Sequence, residues 1–159
     1  MNFKISERNF SELSINIYLL QKGVRDCALL SINLFGTKEK KLDELFEIEQ
    51  YIISSNLYYH ILKYTDDDED SFSEDLSIYV FKYPHQRMVI DTLENDKRFT
   101  KGSFMFEYLR GTLLGYSGEE MEKYLSKLLT DNIVNMKRQF KNLEGGEENV
   151  PESEQTSEV

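Results

Sequence analysis

The chain has one cysteine, Cys27, among its 159 residues, so it can form no internal disulfide, and a lone thiol fits a reducing compartment. Long apolar runs are also missing. The longest stretches without acid or base, Gln50–Leu62 and Cys27–Thr37, fall well short of the ~18 residues that a membrane span needs. Residues 1–8 contain no apolar segment of the kind a secretion signal carries, so a cytoplasmic protein without membrane contact is expected. Soft metal ligands number only Cys27, His60 and His85, too few for an all-His/Cys tetrahedral zinc site, and no His-Glu-x-x-His pair exists. No Gly-x-Gly-x-x-Gly or Walker loop is present to cradle a phosphate, and neither Cys27 nor any serine sits in a glycine-rich elbow. The expectation is therefore no catalytic residue, no metal and no cofactor. Alanine occurs once, at Ala28, whereas Lys, Asn, Ile, Tyr and Phe are plentiful, the usage of an AT-rich bacterial or phage genome.

What the chain does have is apolar content: 40% hydrophobic residues and 20 Phe and Tyr, enough for a core in one domain. Its net charge of −10 is unevenly placed. Asp66–Asp75 holds seven carboxylates and the segment from Glu144 holds six, with no base in either. Without those thirteen, sixteen acids face nineteen bases, so the body is about +3. The acid is concentrated where flexibility is expected, which does not suit a rigid nucleic-acid mimic.

The clearest structural signal runs from residue 102 to 143. Ser117 and Glu120 have capping-box spacing, Tyr116 and Met121 have that of a hydrophobic staple, and Gly115 suits the left-handed end of a preceding helix. Two helices are predicted there, 103–114 and one from Gly118. In the first, Phe104, Met105, Tyr108, Leu109, Thr112 and Leu113 form a broad face, and Gly111 implies close packing. In the second, Met121, Leu125, Leu129, Ile133, Met136, Phe140 and Leu143 form one stripe.

Upstream, Leu13, Ile15, Ile17 and Leu19 alternate with polar residues, and Leu30, Ile32 and Leu34 repeat the pattern after a turn near Gly23, which predicts a β-hairpin. The competing reading is two short helices, because Val24, Cys27, Ala28 and Ser31 also recur at helical spacing. Thr37 caps a predicted helix that buries Leu42, Leu45, Phe46, Glu49, Ile52 and Ile53, with Lys38, Lys40 and Lys41 on its solvated side. A second hairpin follows, Leu57–Tyr64 and Leu76–Tyr83, with one aliphatic face (Leu57, Tyr59, Ile61, Leu76, Ile78, Val80) and one aromatic. Pro84 then starts a helix to about Asn95, buried through Val89, Ile90 and Leu93. The class is α+β: two hairpins in a mostly antiparallel sheet packed by amphipathic helices, with a C-terminal helix pair. Residues 1–143 read as a single globular domain and 144–159 as a disordered acidic tail.

Three groups are candidate sites. Tyr58, His60, Tyr64, Tyr79, Phe81 and Tyr83 form a candidate aromatic binding face, because tyrosine buries area while keeping a polar handle. Met136, Phe140 and Leu143 are candidate contacts for a partner helix. Lys82, His85, Arg87, Lys97, Arg98 and Lys101 make a weaker anion rim. Asp66–Asp70 resembles a calcium loop only in charge, since Ser71 and Ser77 stand where an EF-hand needs Gly and Glu. The composite expectation is a non-enzymatic protein-interaction module, a bacterial or phage regulator or inhibitor that binds a partner protein, with self-association through the C-terminal helix as one form. Nucleic acid is a poor fit. The alternative is a small enzyme, or a nucleotide- or nucleic-acid-binding protein, using the aromatic face with His60 or His85.

A first prediction follows from the charge map. Deleting residues 146–159 should leave the melting temperature unchanged, because they carry no periodic apolar residues. The deletion should also raise affinity for a generic oligonucleotide at low salt by unshielding Lys137, Arg138 and Lys141, and this gain should vanish once screening shortens to ~8 Å. Differential scanning calorimetry and a salt titration check both parts.

Overall fold

The computed structural model describes residues 3–63 and 72–144. It consists of α1 (Glu7–Gln21), β1 (Cys27–Phe35), α2 (Lys38–Ser54), β2 (Tyr58–Lys63), β3 (Ser73–Phe81), α3 (Gln86–Asn95), α4 (Phe104–Leu113) and α5 (Gly118–Glu144). The class is α+β, with a three-stranded antiparallel sheet in the order β1-β3-β2. The chain divides into two compact units, Met1–Ser117 and Gly118–Val159. Tyr64, the acidic run 66–71 and the segment 145–159 lie outside the described residues.

The first hairpin is corrected: its leading strand is helix α1. Leu13, Ile17 and Leu20 are buried at helical spacing, whereas Ile15, which a strand would bury beside them, is 59% exposed. Both periods run through Leu13 and Ile17, and packing selected the helical one through Leu20 and the buried Asn9. The competing reading of two short helices holds for the first segment, which is α1, and fails for the second, since Cys27, Ala28 and Ser31 belong to strand β1. Helix α1 ends in a Schellman turn: Gly23, at φ +72°, donates to Leu20 O and Val24 donates to Leu19 O. Asn56 (φ +58°) and Gly115 (φ +77°) end α2 and α4 with the same pair of bonds.

The second hairpin is present, with Tyr58 opposite Phe81 and His60 opposite Tyr79, and its two faces are divided as the alternation indicates. The aliphatic face, joined by Ala28, Leu30, Ile32 and Leu34 of β1, forms one core with Leu13, Ile17 and Leu20 of α1 and Ile48 and Ile52 of α2. The other face packs Cys27, Tyr79 and Phe81 against Ile90 of α3 and Leu114 at the end of α4. A sheet with helices on both faces results, with the wider aliphatic core on one side and the smaller aromatic one on the other.

Two helices bury a different face from the one expected. In α2 the buried positions are Lys41, Ile48 and Ile52, while Leu42, Phe46 and Ile53 are exposed. Lys41 lays its aliphatic stem inward and brings its ammonium to 3.5 Å from Glu74, so a residue assigned to the solvated side turns the helix. In α4 the buried positions are Phe106, Glu107 and Gly111, and Phe104, Met105 and Tyr108 face outward. The Glu107 carboxylate is satisfied within the helix by Arg110 at 2.5 Å, which makes its burial tolerable. Helix α3 begins at Gln86, two residues after Pro84, with the Gln86 side chain accepting from Tyr83 N; it buries Ile90 and Leu93 but exposes Val89.

In the second unit, α5 is one continuous helix of 27 residues. Met121 and Leu125 of its stripe are buried, and Leu129, Ile133 and Met136 are exposed; the side chains of Phe140 and Leu143 lie outside those described.

The join of α1 to the sheet rests on Asn9. Its amide donates to Asn33 O and to Glu44 Oε1, each at 2.8 Å, and accepts from Asn33 N at 3.2 Å. Replacing Asn9 with Ala should cost about 2–3 kcal/mol, because it strands the N–H and carbonyl of Asn33 and removes one of the donors to Glu44. Ile15→Ala should cost less than ~0.5 kcal/mol, the reverse of what a strand at 13–19 would give. Urea unfolding of the two variants checks this.

Candidate functional site

Among the described residues, two concave surfaces of the first unit are candidates. One is an open cleft of about 670 Å³ along β2, lined by Ile53, Leu57, Tyr58, His60, Phe81 and Arg87 among others. The alternation of β2 and β3 places Tyr58, His60 and Phe81 on one side of the sheet, and the turn at Pro84 brings Arg87 of α3 beside them. His60 Nδ1 lies 3.5 Å from Asp91 Oδ1, and Arg87 Nε lies 4.0 Å from Asp91 Oδ2, so one carboxylate holds both bases at the cleft.

The six residues of the aromatic face have different fates. Tyr79 and Phe81 are buried under α3 and the end of α4, so their rings serve packing. Tyr58 is 47% exposed and stacks on Phe81 with ring centroids 6.0 Å apart. His60 is half-buried, and Tyr83 is exposed, stacked on His85 at 5.7 Å with Lys82 Nζ over its ring. Tyr64 lies outside the described residues.

Four of the six rim bases face a carboxylate: Lys82 pairs with Asp26 at 3.6 Å, Arg87 with Asp91, Arg98 with Asp96 at 2.6 Å and Lys101 with Glu94 at 3.3 Å. The Arg98 hydrogen bonds hold the Asp96 carboxyl down to about 2. Lys97 and His85 are exposed. These pairings leave little unopposed positive charge on the rim.

The second surface is a groove of about 440 Å³ between α3 and α4, which sequence reasoning did not find. Met88, Val89, Thr92 and Leu93 of α3, Phe99 of the connector, and Leu109, Thr112 and Leu113 of α4 line it. Met88 is 71% exposed. The apolar face of α4 was visible in the sequence; once Glu107 takes the inward side, that face becomes a groove wall and rim.

The described residues contain no cluster of three or more His, Cys, Asp or Glu able to hold a metal ion, and no helix among them is long and apolar enough to cross a membrane. Compared with known proteins, the chain matches no family model, no curated protein and no solved structure.

Inside the aromatic core two acidic groups are held neutral. Burial, with a smaller contribution from Asp26, pushes the Cys27 thiol up to about 12 from its ordinary 9.0. Burial and the Glu94 carboxylate, to which the Tyr79 hydroxyl donates at 2.7 Å, push the Tyr79 phenol up as well. Both folded-state values exceed the unfolded ones, so their stabilisation is full below about pH 9 and is lost as pH rises toward 12. Unfolding free energy should therefore be flat from neutral pH to about 9 and fall above it, with a shallower fall in Cys27→Val. A thiol reagent at pH 8 should meet a roughly thousandfold smaller thiolate fraction in the native protein than in the denatured one.

Proposed function

We propose that the protein is a non-enzymatic interaction module, a regulator or inhibitor in a bacterial or phage cytoplasm that works by binding a partner protein. The observation that carries this is the α3–α4 groove. Its lining is almost wholly apolar, and Phe104, Met105 and Tyr108 add exposed apolar area on α4 beyond it. A groove between two helices with methionine and aromatic residues at hand suits the apolar stripe of an amphipathic helix, and methionine adapts to uneven stripes. The exposed Leu129, Ile133 and Met136 of α5 offer a further apolar surface to a partner.

A second reading draws on the exposed Tyr58 ring, stacked on Phe81 beside His60 in the β2 cleft, which suits the base of a nucleotide ligand. Retention of such a compound by the purified protein, seen by native mass spectrometry, favours that reading.

Affinity capture from the native host should recover a stoichiometric protein partner. The double variant Met88→Asp/Val89→Asp replaces exposed side chains, so it should keep the native circular dichroism and melting temperature while weakening capture by a factor of about 30 or more, the effect of losing one or two anchors of the contact. Undiminished capture by a folded double variant rejects the groove.

A further inference from the structure

The three-stranded sheet has two edges, and the chain treats them differently. β1 is closed by its own helix at Ser31 and Asn33: Asn9 of α1 pairs with both the N–H and the carbonyl of Asn33, as a neighbouring strand would, and Glu12 accepts from Ser31 N at 3.3 Å. The other edge is β2, where Tyr58, His60 and Leu62 face β3 and no hydrogen bond reaches the outward N–H and C=O groups of Tyr59 and Ile61 among the described residues. Folded proteins guard an open edge with charge, proline, a bulge or a covering helix. Leu57-Tyr58-Tyr59-His60-Ile61-Leu62 contains neither proline nor a formal charge before Lys63.

The surroundings of this edge are apolar as well. The cleft runs beside it, Tyr58 and Ile53 are exposed within the cleft lining, and Leu42 and Phe46 continue the exposed stripe of α2 along the same helical side as Ile53.

We infer that β2 is the pairing edge of a homodimer, in which a second copy adds its own β2 antiparallel to this one and makes a six-stranded sheet. Three features favour a second copy as the occupant. A two-fold axis normal to the sheet sets the aliphatic face beside the aliphatic face and the aromatic beside the aromatic, so each core continues across the junction. Along Leu57–Leu62 no formal like charges are brought opposite each other, a condition that an identical strand rarely meets. The α1 bonds to Ser31 and Asn33 also block a further strand at the middle of β1 on both far edges, so assembly closes at two copies instead of growing into a fibre. The inference concerns a different surface from the α3–α4 groove and stands whether or not that groove is occupied.

The test is sedimentation equilibrium on the full chain, joined to backbone hydrogen exchange at low and high protein concentration. The expected result is a mass of twice 18.8 kDa at concentrations on the order of 100 μM, with the outward amides of Tyr59 and Ile61 at least tenfold more protected than in dilute samples. Tyr58→Lys/His60→Lys puts like charges at the junction and should raise the dimer dissociation constant by about a hundredfold or more, while Phe35→Lys at the exposed end of the sealed β1 should leave it unchanged. The exchange experiment uses the unaltered chain, so a double variant that fails to fold does not blunt the test. A chain that stays monomeric at 100 μM overturns the inference, as does a dimer whose Tyr59 and Ile61 amides exchange as fast as in the monomer. Protection of those amides only on adding a foreign extended peptide overturns it in favour of strand addition by another protein.

Discussion

The fold hangs on one side chain amide. Asn9 reaches from α1 to the edge of β1 and to Glu44 of α2, and Glu44 in turn accepts from the backbone and hydroxyl of Ser6, so three elements share a single buried polar junction. A buried amide has no tolerance for partial pairing, since each unmet group carries the desolvation penalty without return. The junction therefore fixes the angle and register at which α1 lies on the sheet, and Leu13, Ile17 and Leu20 enter the aliphatic core as a consequence.

How far the fold could be read depended on whether polar residues stayed outside. The pairing of β2 with β3 and its aliphatic and aromatic faces were legible, because alternation there met no competing period and burial followed it, whereas β3 starts at Ser73, inside the acidic segment, and ends at Phe81, short of Tyr83. The left-handed Gly115 and the start of α5 at Gly118 were legible from cap chemistry. Helix α1 was not, because Leu13 and Ile17 satisfy both a two-residue and a four-residue repeat and the deciding contact was made by an asparagine. The faces of α2 and α4 were misjudged for one shared reason: Lys41 and Glu107 are buried with partners, and each turns an apolar stripe outward.

Those outward stripes give the candidate sites their character. Tyr79 and Phe81, read as a binding face, are used as core, while the apolar groups left at the surface come from α2, α3 and α4. The α3–α4 groove could have been anticipated only by placing Glu107 inside, for which its spacing of three from Arg110 is the available signal. The sealed β1 edge carried a signal too: Asn9 and Glu12 lie three apart on one side of a helix, positioned to meet alternate residues of an extended strand.

The strand order has a consequence for how the chain reaches this state. The middle strand, β3, is the last of the three along the sequence, and both β1 and β2 pair only with it. No ladder can form until residues 73–81 are available, and the contacts that close the sheet join positions as far apart as Cys27 and Phe81. During synthesis β1 waits as an uncharged apolar run, its aliphatic face sheltered by α1 and α2, so the helix that guards the edge of the finished sheet also guards the unfinished one. Loops of this span make folding slow relative to helical bundles of equal size, and the exposure lasts for that whole interval.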